Sequence, residues 1–412
     1  MKLVKIDEKT FDDFVATCPY SSYFQTSSYG FMMSKLGLKD EYYGFKKGNQ
    51  LVGVTLILIK NSFMSFKYGY CPRGIIIDFT QEAEIKEAAK VLKSTLFKER
   101  FLLIKIDPLV VATIRDKKGN IASQNTDFNN FMNWMGSAGF SHCGFNLYFE
   151  SVKPRFEFEM PIDMPATTLF KNLSKQVRNK LRKATKYGVT VYKDSNPDFQ
   201  KIFPFVKDKG LNYKYYEEMK QAFGDDFEVF YAKLNTRIYV ENSKRLYEKE
   251  LEINHYLTNI IQSHGYKGKK VNKVLSKKLE SDKLLNIFKN YMVAATALLR
   301  DHPDGLIVGV TLTLKYLDKI YLISEGYDKN NANLAANYLT KWKIIEKYAD
   351  SEYKIFNMNG VSGKFTKESP YRGLNEMKTG YNGRIIEYAG EFNLIINQPM
   401  YSLSKGINLN KK

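Results

Sequence analysis

Residues 357–365 read Asn357-Met358-Asn359-Gly360-Val361-Ser362-Gly363-Lys364-Phe365. After a polar loop, residues 377–392 read Met377-Lys378-Thr379-Gly380-Tyr381-Asn382-Gly383-Arg384-Ile385-Ile386-Glu387-Tyr388-Ala389-Gly390-Glu391-Phe392. Two strand-like runs flank glycines and a lysine. Glycine lets backbone approach a ligand closely, here beside a fixed positive charge. The same pattern also suits a hairpin with ordinary turn glycines.

Outward from this block the chain repeats itself. Gly53-Val54-Thr55-Leu56-Ile57-Leu58 recurs as Gly309-Val310-Thr311-Leu312-Thr313-Leu314. A polar turn and a second strand follow each copy, over 65–70 and 319–324. Then come a glycine-containing segment and an amphipathic helix. The first helix is predicted near 82–97, with Ile85, Ala88, Ala89, Leu92 and Leu96 on one face. The second is predicted near 331–348, with Leu334, Tyr338, Trp342 and Ile345 similarly placed. A hairpin followed by a helix, used twice, suggests two related α+β domains. A buried strand is predicted over 101–106, ended by Asp107-Pro108, with a short helix over 127–139 and a strand over 156–162. The domains are placed at 1–150 and 151–395, with a C-terminal tail at 396–412.

Residues 242–290 differ in character. Leu246, Ile253 and Ile260 lie seven apart, with Leu257 between them. Val271, Leu275 and Leu285 continue a looser heptad beyond a turn at 264–270. This predicts an antiparallel coiled-coil arm over 241–292, inserted in the second domain. Glu250, Lys278 and Asp282 weaken its seam, so a short, mobile arm is expected.

Thr168 to Tyr187 predicts one helix closed by Gly188. Phe170, Leu173, Val177, Leu181 and Ala184 form its apolar face. Lys171, Lys175, Arg178, Arg182 and Lys186 fall opposite, within an arc of about 80° at roughly 100° per residue. The simple reading is a solvated face. Cations with no interposed acid repel one another unless a polyanion neutralises them, which points to RNA backbone or membrane phosphates.

The chain of 412 residues is long enough for two cores, and 44% hydrophobic residues is a globular composition. A formal charge of +19, from 63 Lys+Arg against 44 Asp+Glu, favours polyanionic partners. RNA, anionic lipid headgroups and pyrophosphate-bearing substrates all qualify. The apolar run 51–59 is too short to cross a bilayer. The N-terminus has no apolar signal segment, so export is not expected. Three scattered cysteines, Cys18, Cys71 and Cys143, argue against a disulfide framework.

The order Gly360-Val361-Ser362-Gly363-Lys364-Phe365, then Lys378-x-Gly380-Tyr381-Asn382, then Ile385-Ile386-Glu387-Tyr388-x-Gly390 closely resembles the C-terminal part of the FemA/FemB family. Those proteins are non-ribosomal peptidyltransferases that build the interpeptide bridge of bacterial peptidoglycan from aminoacyl-tRNA. The likeness runs from Pro19-Tyr20 to Pro399 and takes in the basic helix and the arm. It implies two acetyltransferase-like domains with an inserted coiled-coil arm. It implies transfer of glycine, alanine or serine from aminoacyl-tRNA to the stem peptide of a lipid-linked precursor. It also implies a cytoplasmic chain, peripheral at the inner face of the plasma membrane. No cofactor is expected, because an aminoacyl ester is already activated. A homodimer, or pairing with a related transferase, stays open.

The resemblance gives Lys378 the electrophilic role of stabilising the oxyanion. Family members usually carry an aromatic residue before this lysine; here it is Met377. Asp107 matches a family Asp-Pro near the precursor site and is the candidate base. A strand-end acid also caps turns, and water or the substrate can take the proton instead. For the precursor, the family uses a lysine after an early Phe-Gln-Thr segment and an arginine before a Tyr-rich helix. Here Phe24-Gln25-Thr26 is followed by Phe31 or Met33 at the lysine's place, with Lys35 nearby. Tyr215 fits the second segment, while Leu211, between Lys209 and Lys214, stands near the arginine's place. These departures fit a lipid-linked precursor better than a soluble uridine nucleotide. Tyr70 and Arg73, in Tyr70-Cys71-Pro72-Arg73-Gly74, match another family block and are expected in the pocket, as are Ser362 and Lys364.

Other chemistries lack their residues. His142, His255, His264 and His302 have no metal-ligand spacing with the cysteines. His142 and Cys143 are adjacent, and neighbouring side chains point apart. No Gly-rich loop ending in Lys-Ser/Thr is present, nor the glycine-rich pyrophosphate loop of an acetyl-CoA enzyme. The remaining rival is a non-enzymatic, basic coiled-coil RNA-binding or scaffold protein.

Overall fold

A computed structural model describes residues 1–18, 20–206, 211–264 and 269–409. The fold is mixed α+β on two sheets. The first sheet runs Lys2–Lys5, Lys39–Lys47, Gln50–Asn61, Lys67–Cys71, Phe101–Ile106, Phe392–Ile395, Phe140–His142. Its first four strands are antiparallel, and Lys67–Cys71 then pairs parallel with Phe101–Ile106. A parallel step needs a crossover. The Glu82–Lys98 helix supplies it, burying Ile85, Ala88, Ala89, Leu92 and Leu96.

The second sheet runs Val189–Asp194, Phe227–Leu234, Leu306–Tyr316, Lys319–Tyr327, Ile355–Gly360, Phe156–Pro161, Arg384–Tyr388, Val111–Arg115, Ile121–Gln124. It repeats the scheme: antiparallel strands, then a parallel pair, Lys319–Tyr327 with Ile355–Gly360, joined through the Ala336–Tyr348 helix. The two copies of the repeated hexad therefore occupy the third strand of each sheet. The second helix starts later than expected. Residues Lys329–Leu334 form a 3-10 turn, and Ala335 breaks the path with a left-handed φ of 54°.

The strands do not divide at residue 150. Val111–Arg115 and Ile121–Gln124 join the second sheet, and Phe392–Ile395 returns to pair with Phe101–Ile106 in the first. Periodicity marks a strand but does not say which edge it joins, so a linear cut separates strands that share a sheet.

The arm is longer than expected. Thr236–His264 and Lys269–Asp301 are paired antiparallel helices of 29 and 33 residues. Residues 265–268 of the expected turn lie outside the described residues, as do Pro19 and Lys209. The inward stripe also differs. Ile253 is 40% exposed, whereas Asn254, Leu257 and Ile261 are buried. Asn254 Nδ2 donates to Ser281 Oγ (3.1 Å) and Asp282 Oδ1 (2.8 Å), and Ser281 Oγ donates to Glu250 Oε1 (2.6 Å). A satisfied polar layer thus sits in the seam, a device that fixes helix register.

The basic segment is two helices, Ala166–Asn172 and Lys175–Lys186. Ser174 breaks it, because its Oγ accepts from the Val177 N–H at 3.2 Å and caps the second helix. Lys171 lies before the break, its carbonyl taken by Arg178 Nη1 at 2.7 Å, so it does not share the arc of the other cations. Val177, Leu181 and Ala184 are buried, while Lys175, Arg182 and Lys186 are exposed. Among the described residues, no helix is long and apolar enough to cross a membrane.

Candidate active site between the sheets

A cavity of about 210 Å³ is lined from both sheets. Phe24 comes from the segment before the Ser27–Lys35 helix, and Arg73 from the turn after Lys67–Cys71. Glu157, Tyr321, Asn357 and Asn359 come from strands of the second sheet. Along Phe156–Pro161 the apolar Phe156, Phe158 and Met160 enter the core, and the alternate positions Glu157 and Glu159 face the other way. Both faces are covered, so these acids are buried and need partners.

Arg73 is the hub. Its backbone is left-handed, φ 52°, and the conformation is held from several sides. Its N–H donates to Asp107 Oδ1 at 2.6 Å. Its guanidinium pairs with Glu157, donates to the Pro154 carbonyl at 2.8 Å and lies 5.0 Å from the Tyr388 ring centroid. Asn357 Nδ2 donates to the other Glu157 oxygen at 2.7 Å. The Tyr70 hydroxyl donates to Asp107 Oδ2 at 3.1 Å. Burial pushes the Asp107 carboxyl up to about 6, opposed by the charges of Arg73 and Lys153. Burial likewise lowers the Lys153 ammonium to about 8, opposed by Asp107.

Lys378 stands in the last turn of the Arg372–Thr379 helix, and it is buried. Its ammonium donates to the carbonyls of Met358 and Gly360, each at 2.7 Å. The Ile355–Gly360 strand is irregular there, and Asn359 has a φ of 64°. Lys378 thereby bonds one carbonyl within that irregularity, of Met358, and one at its edge, of Gly360. Burial lowers its proton affinity to about 8, opposed mainly by Glu325. Met377, just before it, accepts from Lys341 Nζ at 3.6 Å and Asn337 Nδ2 at 3.5 Å.

Of the residues expected in the pocket, Arg73 and Tyr215 line it. Asp107, Tyr70 and Lys378 belong to its supporting network and line neither this cavity nor its neighbour. Lys35 and Lys214 are exposed outside it; the Lys35 ammonium lies 5.0 Å from the Phe31 ring centroid. Ser362 is buried in a loop clamped by Asn375, which accepts its N–H at 3.0 Å. Lys364 lines a separate basic groove with Lys117, Lys118, Lys367 and Arg372. None of Lys171, Lys175, Arg178, Arg182 and Lys186 lines the cavity. Gln25 of the early Phe-Gln-Thr segment is structural, since its side chain donates to Pro72 O and accepts from Leu56 N.

Lys153 and Glu157 were missed from sequence. The usable signal was Lys153-Pro154-Arg155-Phe156-Glu157-Phe158-Glu159, a strand pattern with charges on the face opposite its phenylalanines. A second cavity, about 350 Å³, adjoins the first through the shared Arg73 and Leu109. Ile76, Val111, Ile114, Phe131 and Trp134 make it largely apolar. Among the described residues, no group of His, Cys, Asp or Glu is arranged to hold a metal ion.

A model of the FemAB family matches residues 6–409. Two relatives named Aminoacyltransferase FemA, from Staphylococcus aureus (strain bovine RF122 / ET3-1) and Staphylococcus aureus (strain N315), are each 25% identical over 418 residues. Each alignment spans 98% of this chain and 97% of the relative. A crystal structure of FemX superposes with a TM-score of 0.70 at 21% identity, covering 98% of this chain and 99% of that one. That likeness is one of fold.

Proposed function

The chain belongs to the FemAB family, and we propose that it is a tRNA-dependent aminoacyltransferase adding glycine, alanine or serine to the stem peptide of a lipid-linked peptidoglycan precursor. The observation that carries this reading is the cavity between the sheets, lined by the Lys153 ammonium and backed, through Arg73, by the buried Asp107 carboxylate.

The acceptor amine, ordinarily protonated near neutrality for a lysine side chain, must lose a proton before it attacks. Asp107, held above the usual carboxylate range and set behind Arg73 of the cavity wall, is the base, acting through one water. Nitrogen bonds to the acyl carbon, the ester bond to the ribose breaks, and the ribose oxygen leaves with a proton. Holding ester and amine together in one cavity supplies much of the acceleration. Lys378 acts as a positioning residue, through the strand segment that carries Asn357 and Asn359.

The adjoining apolar cavity supports a lipid-linked acceptor over a soluble nucleotide. Exposed Lys175, Arg182 and Lys186, with Arg178, support contact with tRNA or membrane phosphates, and so a peripheral place at the inner membrane face. The doubled hairpin–helix–strand unit supports an acetyltransferase-like ancestry for each half, and the paired long helices support a coiled-coil arm. The test is transfer from a bulk pool of radiolabelled aminoacyl-tRNAs to lipid-linked precursor and, separately, to its nucleotide-linked counterpart. Label in the lipid-linked product supports the proposal. No transfer from any charged tRNA would favour an RNA-binding or scaffold protein.

A further inference from the structure

We propose that Lys153 is a catalytic residue, the donor that meets the oxyanion formed at the ester carbonyl. The inference rests on the aminoacyl-transfer reading above.

Among the described residues, the charged side chains lining the cavity are Arg73, Lys153, Glu157 and Lys319. Arg73 is committed to Glu157 and the Pro154 carbonyl. Lys319 is paired with Glu159 at 3.3 Å. Behind the wall, Lys378 has two of its three N–H bonds on carbonyls. Lys153 differs. Among the described residues its ammonium makes no hydrogen bond and no ion pair. It rests against the faces of Phe24 and Tyr29, at 3.8 and 5.8 Å from the ring centroids. A half-buried ammonium that faces the cavity and rests only on ring faces has its donors free for an anion.

Asp107 and Glu157 favour the charge of Lys153, Arg73 opposes it, and Tyr29 stays a neutral phenol because burial pushes its hydroxyl up. A base for the amine and a donor for the oxyanion serve adjacent atoms of one tetrahedral centre, so they must lie close together. Arg73 brings the two together: its N–H donates to Asp107 Oδ1, and its guanidinium donates to the carbonyl of Pro154, the residue next to Lys153. A preorganised donor in a water-poor site acts most strongly on charge that develops during reaction. In the step itself the acceptor nitrogen bonds to the acyl carbon and its proton passes to Asp107; the bond from that carbon to the ribose oxygen then breaks, and the oxygen leaves with a proton returned by Asp107. Lys153 keeps its protons and only donates.

The experiment compares the wild-type full chain with Lys153→Met and Lys153→Arg in steady-state transfer from charged tRNA to lipid-linked precursor. Lys153→Met is expected to lower kcat by about 10² to 10³-fold, with KM for either substrate within a few-fold. Lys153→Arg is expected to keep most of kcat. The wild-type rate is expected to fall as pH passes about 8, where the cation is lost, and Lys153→Arg moves that limb upward. Near-normal kcat in Lys153→Met, or a change confined to KM, overturns the proposal. Should Lys153→Met not fold, the arginine variant decides: an unmoved alkaline limb overturns it. A wild-type chain that transfers nothing removes the transferase reading itself, whereas an active wild type with an unaffected Lys153→Met removes this inference alone.

Discussion

Lys378 Nζ lies 2.7 Å from the carbonyl oxygen of Gly360, at the irregular strand end whose Asn357 and Asn359 reach the cavity. A second bond, to Met358, makes the lysine a bridge between the Arg372–Thr379 helix and that strand. Lys378→Met leaves two buried carbonyls without partners. We expect a stability loss of about 2–4 kcal/mol in chemical denaturation, with turnover falling alongside it. Loss of turnover at unchanged stability would instead mean that Lys378 touches the substrate.

The same residue sets a pH signature. Its folded value, about 8, lies below the ordinary lysine value of 10.5, so between these pH values the unfolded chain binds more protons. Stability therefore rises with pH across that window. The difference in unfolding free energy, wild type minus Lys378→Met, should climb from pH 8 to 10.5. A flat difference would mean that the buried ammonium titrates normally.

Asp107 has the opposite sense. Its folded value, about 6, lies above the ordinary 3.8, so the folded chain binds the extra proton between them, and stability falls as pH rises through that window. As the base, it also places the acid limb of kcat near pH 6. Asp107→Asn should remove that limb and lower kcat by about 10²-fold or more. A pH–rate profile that keeps its acid limb in the variant would assign the proton elsewhere.

Arg73→Met strands Glu157, whose side chain is 10% exposed, without its cation. The expected cost is about 3–5 kcal/mol. Adding Glu157→Gln should recover part of it, which a double-mutant cycle measures. Additive losses would show that the two residues are not coupled.

Reversing charge at Lys175, Arg178 and Arg182 should weaken RNA binding and flatten its log–log salt slope by about 2–3 units. Lys171, on the preceding helix, should matter less. Equal effects at Lys171 and Lys175 would mean that the break at Ser174 closes up on binding.

Much of the scaffold was legible because it is written in local pattern. The repeated hexads, the Glu82–Lys98 face and the strand ending at Asp107 all follow from periodicity. What stayed hidden depends on partners far along the chain. Val111–Arg115 pairs with Arg384–Tyr388, and no local signal announces it. Lys378 reads as a strand residue because the isoleucines beyond Gly383 dominate the pattern, yet its own turn is helical. The arm's inward stripe was missed because Asn254 and Ser281 satisfy each other across the seam, which apolar counting ignores. Lys153 is hidden in the sequence for the same reason as Glu157: a charged residue reads as solvent-facing until a second sheet is seen to cover it.

The most direct measurement is a structure of the full chain with an amide-linked analogue of the aminoacylated RNA 3′ end. The expected result places the acyl carbonyl oxygen within hydrogen-bonding reach of Lys153 Nζ, in the cavity shared by Arg73, Tyr215 and Asn359. An analogue seated away from that cavity, with Lys153 still resting on Phe24 and Tyr29, would contradict it.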